Sequence, residues 1–537
     1  MQPLLNRLRE LPTFYLILFI LALAIPAFLL NLGLAGFIGD EAIRAWVAME
    51  MDYSGNYIAT TMHGAPYINK PPLFNWLIVI AAKLWGAYDE MPSRLITVLF
   101  LALFGWAVFR AVRRHFSLEM AFLSAMTTVT SGRFLFYDSM LGLIDTSFSW
   151  VVYTLFMSIY FLGKREQWLR LFLLSYFLMA VGFMLKGFPA IVFQGFSLLA
   201  GLFYFGRLKL LFSWKHAAGI LTAAMLIGAY LAAYAQYRPL DVLIENLLHE
   251  SVKRTAAERS AMDTILHFFT FPFDSIYHFL PFSLMGIFWI DRRLWARIRS
   301  HEFIYYNFLL LAANLPVYWT SSEVVPRYLL MFIPLYNVIG LYLLGLNMAD
   351  ESRRYRIFYY LLGALLTAGS LAMAVVPFVE AVKEIPGIIP LSIGLTVLMT
   401  LSTVLYFADK QRFMMWFVAA LLVVRIGFDL IVLPVRHRDN DLTVSRRDAI
   451  RMAYQYSDRH WYVYADSETR EPAMFYATAR LGYIIERTDR TDIPFALYLV
   501  NMQQYPHFEG TCLDTLRTDY ESTTLLLFAR DDLKKPQ

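Results

Sequence analysis

Apolar blocks of about 20 residues recur along this chain from residue 13 to residue 433, and they fix the solvent in which it folds. A helix of that length satisfies its own backbone in lipid, where an irregular segment cannot. Charged residues make up only 17% of the 537, against about 25% in soluble domains. The chain therefore reads as a polytopic α-helical membrane protein. Its net charge of +5 is no nucleic-acid signature, because the basic residues sit in short clusters between apolar blocks. The single cysteine, Cys512, excludes an internal disulfide and a cysteine zinc site. The basic N-terminus, without a small-residue cleavage site, reads as a start-transfer anchor.

Candidate spans are 13–37, 73–88, 95–112, 118–136, 146–163, 169–185, 188–206, 217–237, 276–290, 303–320, 327–347, 357–379, 387–408 and 413–433. Basic clusters such as Arg113/Arg114, Lys164/Arg165, Arg292/Arg293 and Arg353/Arg354 fall on every second loop from residue 113 onward. The positive-inside rule places them in the cytoplasm. The alternation holds throughout if 73–112 crosses once, net, with the short 73–88 segment partial or reentrant. This predicts about 13 crossings, the N-terminus inside and the C-terminus outside. Residues 1–435 are then a membrane domain, with 38–72 as its first outer loop carrying amphipathic helices. Residues 436–537 are predicted to form a small outer α/β domain. Strand-like runs HWYVYAD, FALYLVN and TTLLLFAR alternate there with helical DLTVSRRDAIRMAYQY and EPAMFYATARL.

In this topology polar residues from five separate segments gather on the outer face. Asp40 and Glu41 open a helical segment; acids there cap a helix and can equally serve as a base. Lys70 precedes Pro71 and Pro72, which fix the backbone of what is either a snorkelling lysine or a positioned ammonium. Lys253, Arg254 and Arg259 are basic residues outside, paired along a helix with Glu250 or Glu258 or facing an anionic ligand. Asp138 and Asp145 lie seven residues apart, Lys186 is a potential partner of one of them, and Arg327 and Tyr328 begin another span. Trp46, Tyr53, Tyr57 and Tyr67 are aromatics that stack on a sugar or belong to an interfacial belt. His63 and His249 lack the paired spacing of a metal site.

The order Asp40-Glu41, Lys70-Pro-Pro-Leu, Asp145, Lys186-Gly187, Lys253-Arg254, Arg327-Tyr328 and Pro334 resembles the integral-membrane GT-C glycosyltransferases. It is similar to the bacterial dolichyl-phosphate-mannose transferase-like group and the lipid A aminoarabinose transferases. The resemblance implies a polyprenyl-phosphate-linked sugar as donor and a lipid, glycan or protein acceptor in the cell envelope, lipid A among them. It implies transfer on the periplasmic face of a bacterial inner membrane, without a cofactor. Asp40 resembles the essential acid of the first periplasmic loop, with Glu41 beside it. Asp145 resembles the second important aspartate, with Asp138 as its alternative. Lys70 and Arg254 match residues that grip the lipid phosphate, supported by Lys253, Arg327 and Tyr328. Lys186 and Tyr67 are expected to position substrate. No metal is called for, since two cations already meet a monophosphate leaving group. One position departs from the pattern: Asn69 stands where aminoarabinose enzymes usually carry an acid. A transporter or flippase would instead place ionisable residues at mid-membrane within an inverted repeat. A noncatalytic scaffold would tolerate alanine at every one of these positions.

Overall fold

The computed structural model describes residues 12–252, 261–321, 324–438, 440–518 and 524–529. It is mostly helical. Among the described residues, eight helices are long and apolar enough to cross a membrane, from Glu90–Val112 to Phe413–Arg438. The bundle packs closely where small residues permit. A side chain at Gly219, on helix Trp214–Tyr234, would put its first carbon 2.6 Å from the Tyr176 ring of helix Trp168–Lys186. The bundle's periphery leaves Leu221, Met225, Leu361 and Leu371 exposed, as a lipid-facing surface does.

Several expected spans take other forms. Helix Leu73–Trp85 has 13 residues, about 20 Å of rise against a hydrocarbon core of about 30 Å. Thr13–Leu29, Leu118–Val129 and Pro189–Tyr204 are likewise short apolar helices. The expected 276–290 span is divided: helix Ala261–His278 ends, and Phe282–Trp289 continues as a tighter 3-10 turn. The expected 303–320 span breaks after Glu302–Asn314, with Pro316 opening a separate turn, because proline removes a backbone donor from the helix.

In the first loop β1 (Thr61–Met62) and β2 (Ala65–Pro66) form a hairpin. After the bundle, β3 (His460–Tyr464), β4 (Arg487–Thr488), β5 (Ala496–Asn501), β6 (Thr511–Arg517) and β7 (Thr524–Ala529) form one mixed sheet ordered β4-β3-β5-β7-β6. Only the β4–β3 and β3–β5 pairs are parallel. Every residue of β5 is buried, so its two faces meet different cores. Leu497 and Leu499 pack with residues of helices Asp441–Gln455 and Glu471–Leu481. Ala496, Tyr498 and Val500 pack under Tyr505 and Phe508.

The first core also contains Phe37, Ala42, Ala45, Trp46 and Met49. Helix Asp40–Ser54 of the first loop is thus an integral layer of the C-terminal unit. The hairpin docks beside it. Nδ1–H of His63 donates to the Ile485 carbonyl at 2.8 Å, which leaves Nε2, 3.1 Å from Thr469 Oγ1, to accept. Burial, opposed by the Ile485 hydrogen bond, pushes His63 from 6.5 down to about 3. The folded His63 therefore binds a proton less readily than the unfolded chain. Its contribution is complete above pH 6.5 and is lost as pH falls toward 3, by up to about 1.4 kcal/mol per pH unit. Glu50 accepts from His63 N and Thr61 Oγ1, and burial raises it above 4.5. It acts in the opposite sense, stabilising below 4.5 and losing that contribution as pH rises through its raised value. A His63→Gln variant should lose less thermal stability than the parent between pH 6.5 and 5. Parallel midpoint-versus-pH curves would contradict this.

Candidate active site

Gly39, at φ +56°, turns the chain into helix Asp40–Ser54 through a conformation that favours glycine. Asp40 and Glu41 fill the first helical turn, where carboxylates complement the exposed N–H groups. Successive helical residues point about 100° apart, and here they separate completely. Asp40 faces a cavity, with its side chain 49% exposed. Glu41 turns inward, fully buried.

The cavity is lined by Asp40, Arg44, Tyr67, Asn69, Lys70, Asp145, Lys186, Glu250, Arg327 and Tyr328, together with Ile43, Leu143 and Ile144. Asp145 stands in the first turn of helix Ile144–Lys164. Lys186 closes helix Trp168–Lys186, which ends at Gly187 with φ +83°. Arg327 and Tyr328 lie at the start of the 3-10 stretch Pro326–Phe332. Helix ends therefore deliver most of these groups.

The ion pairs form a chain. Arg327 Nη2 donates to Asp40 Oδ2 at 2.5 Å, and its Nε lies 3.4 Å from Asp145 Oδ2 without hydrogen-bond alignment. Lys186 Nζ donates to Asp145 Oδ1 at 2.5 Å and sits 4.0 Å from the centre of the Tyr328 ring, a cation–π distance. Asn246 Nδ2 donates to the Ile68 carbonyl and Asn69 Oδ1, at 3.1 and 3.3 Å, tying helix Leu240–Val252 to the Lys70 segment. The lining carries three carboxylates (Asp40, Asp145, Glu250) and four cations (Arg44, Lys70, Lys186, Arg327), a surplus of one positive charge.

Asp40, Lys70, Asp145, Lys186, Arg327, Tyr328 and Tyr67 are thus brought together, as the sequence reading expects. Other candidates stand elsewhere. Glu41 is no cavity residue: it accepts from Arg94 Nε at 2.7 Å, Arg94 Nη2 at 2.9 Å and Gly142 N at 2.7 Å. Asp138 is buried against Arg133, with bonds of 2.9 and 2.8 Å; burial raises its carboxyl to about 6 despite the opposing guanidinium. Trp46 lies in the C-terminal core with Tyr53 packed against it, and Tyr57 donates its hydroxyl to Asp52. His63 is held at the sheet. His249, on helix Leu240–Val252, is not among the groups lining the cavity. Lys253, Arg254 and Arg259 lie outside the described residues. Among the described residues no group of three or more His, Cys, Asp or Glu is placed to hold a metal. The sequence reading missed Arg44; its signal was the four-residue interval from Asp40, which places both on one helical face.

The apolar helical bundle, with acids and bases gathered at its helix ends, and the small mixed sheet together share the fold of a solved membrane protein. The chain is similar to the crystal structure of ArnT from Cupriavidus metallidurans bound to undecaprenyl phosphate, with TM-score 0.69 and 17% identity across 98% of this chain and 100% of that one. The apo structure of the same protein matches at TM-score 0.65. Residues 69–231 match the dolichyl-phosphate-mannose-protein mannosyltransferase family. Over 333 residues the chain is 26% identical to an uncharacterized protein of Aquifex aeolicus, covering 58% of this chain and 62% of that protein. It is 28% identical over 255 residues to the undecaprenyl phosphate-alpha-4-amino-4-deoxy-L-arabinose arabinosyl transferase of Pseudomonas savastanoi, covering 45% of each. An arabinosyl transferase of the same description from Proteus mirabilis is 26% identical over 229 residues, 41% of this chain and 40% of the relative. The matched regions thus span less than two thirds of these relatives.

Proposed function

We propose that this protein moves a single sugar from a polyprenyl-phosphate donor to an envelope acceptor at the outer leaflet of a bacterial inner membrane. One observation carries the reading: Asp40, Lys70, Asp145, Lys186 and Arg327, far apart in sequence, line one cavity with a surplus positive charge. Supporting it are the mannosyltransferase-family match, the aminoarabinose transferase relatives, and a fold shared with a protein crystallised with undecaprenyl phosphate.

The reaction is an inverting displacement. Asp40 takes the proton from an acceptor hydroxyl, or orients an acceptor that is already a phosphate. The acceptor oxygen bonds to the anomeric carbon as the bond from that carbon to the phosphate oxygen breaks. The electron pair leaves on the lipid phosphate, where Lys70 and Arg254 meet the growing charge. Asp145, held by Lys186, positions the sugar, and Tyr67 offers a ring beside it. The membrane domain comprises residues 1–435, crosses about 13 times with its N-terminus cytoplasmic, and carries a periplasmic unit, residues 436–537. The acceptor is lipid A or another envelope glycan or protein, and the transferred sugar is a pentose or hexose.

Lys70→Ala should lower transfer by about 10²-fold, the cost of removing one donor that acts on developing charge. Transfer is measured with purified full-length protein and a synthetic polyprenyl-phosphate sugar. Unchanged activity in Lys70→Ala, Asp40→Ala and Arg254→Ala together would reject the reading. Mass spectrometry of lipid A and envelope glycans from a deletion strain should show the loss of one defined sugar.

A further inference from the structure

Arg44 lines the same cavity, only 6% exposed, and its Nη1 has no hydrogen-bond partner. A buried guanidinium with an unmet donor is costly, since a charge removed from water needs a counter-charge as well as a hydrogen bond. Its surroundings hold it in place without neutralising it. The Arg44 carbonyl accepts from Asn75 Nδ2 at 2.8 Å, which pins the backbone. Its guanidinium carbon lies 5.6 Å from the centre of the Tyr67 ring. Two of the three carboxylates lining the cavity are engaged by other cations, Asp40 by Arg327 and Asp145 by Lys186 and Arg327. No ion pair is formed by the Arg44 side chain with any described residue.

We infer that Arg44 is a binding residue for an anionic phosphate oxygen, an inference that rests on the cavity being a lipid-phosphate site. A sugar hydroxyl would meet the hydrogen bond and leave the charge unbalanced. A phosphate oxygen meets both, and arginine's planar fork can present paired donors to it. Arg44 follows Asp40 by one helical turn, so the bound phosphate lies on the face that also presents the proposed base. Two sources share this chemistry: the phosphate of the polyprenyl donor, and a phosphate on the acceptor.

The test uses the purified full-length protein in lipid nanodiscs, with Arg44→Gln, Arg44→Lys and, as reference, Lys70→Ala. Undecaprenyl phosphate is the binding probe, and lipid A with or without its phosphates is the acceptor. If the donor phosphate is the ligand, Arg44→Gln weakens undecaprenyl phosphate binding at least tenfold and Arg44→Lys weakens it less. If the acceptor phosphate is the ligand, donor binding holds while KM rises for phosphorylated lipid A alone. In either case the ligand-free melting temperature of Arg44→Gln equals or exceeds the parent's, because a buried charge without a counter-charge has been removed. A fall in that temperature with donor binding and acceptor KM both unchanged marks Arg44 as a packing residue and overturns the inference. Should Arg44→Gln fail to fold, the same comparison is made with Arg44→Lys, and unchanged binding and KM there overturn it equally. Loss of binding in Lys70→Ala beside normal binding and KM in Arg44→Gln ends the inference and spares the proposed function. Normal binding in both variants removes the lipid-phosphate reading itself.

Discussion

Arg94→Met will destabilise the folded protein by about 3–5 kcal/mol, the usual cost of leaving one member of a buried ion pair alone. Few side chains here are as completely used. Beyond its two bonds to Glu41, Arg94 Nη1 donates to the Leu32 and Ala35 carbonyls, both at 2.8 Å, and Nη2 to the Gly36 carbonyl at 3.2 Å. Every donor of the guanidinium therefore has an acceptor. Glu41 in turn holds the Gly142 and Ile38 amides. One pair thus joins the turn after the first helix, the start of helix Asp40–Ser54, helix Glu90–Val112 and the 142 turn. Gly142 admits no larger residue, since a side-chain carbon there would meet Ser93 Oγ at 2.2 Å. Thermal unfolding of the full-length variant in detergent, followed by loss of the monodisperse chromatographic peak, measures the effect. A Glu41→Leu/Arg94→Met double variant should recover part of the loss, because no charge is left buried without its partner. A melting temperature for Arg94→Met within a degree of the parent would contradict the account.

Asp40→Asn should lower transfer by 10² to 10⁴-fold, the range set by removal of a general base, while changing stability by less than about 1 kcal/mol. The small stability effect follows from exposure: Asp40 is half open to the cavity, and Arg327 retains Asp145. Full-length protein assayed with a polyprenyl-phosphate sugar and an acceptor bearing a hydroxyl nucleophile provides the readout. Near-parental turnover in Asp40→Asn would exclude this aspartate as base. A simultaneous collapse of stability would instead assign it a structural role.

These two neighbours show what a primary structure reveals and what it hides. Charges at the ends of apolar blocks are legible because placing them within hydrocarbon is costly, so the pattern alone assigns Asp40, Lys70, Asp145, Lys186 and Arg327 to one expected face. The partner of Glu41 was not legible. Arg94 sits at the edge of a span, 53 residues away, and only three-dimensional packing reveals which way each member of an Asp-Glu doublet turns. Arg44 was masked by its surroundings in AIRAWVAMEM, whose apolar spacing reads as a buried helical face. In the C-terminal region the three strand runs and two helices were visible from alternation and periodicity, and all five take those forms. Strand β6 was not: it lies at the sheet edge, mostly exposed, with a register shift between Cys512 and Asp514, so it lacks the apolar alternation of a covered strand.

The helix bearing Asp40 has one face toward the cavity and another, through Ala42, Ala45, Trp46 and Met49, in the core built by the last strands. Timing during biosynthesis follows from this arrangement. A nascent polypeptide with all its hydrophobic segments already inserted still lacks the core against which the helix bearing Asp40 packs. The cavity face of this helix is therefore seated only once the last strands have been made and have folded against its other face.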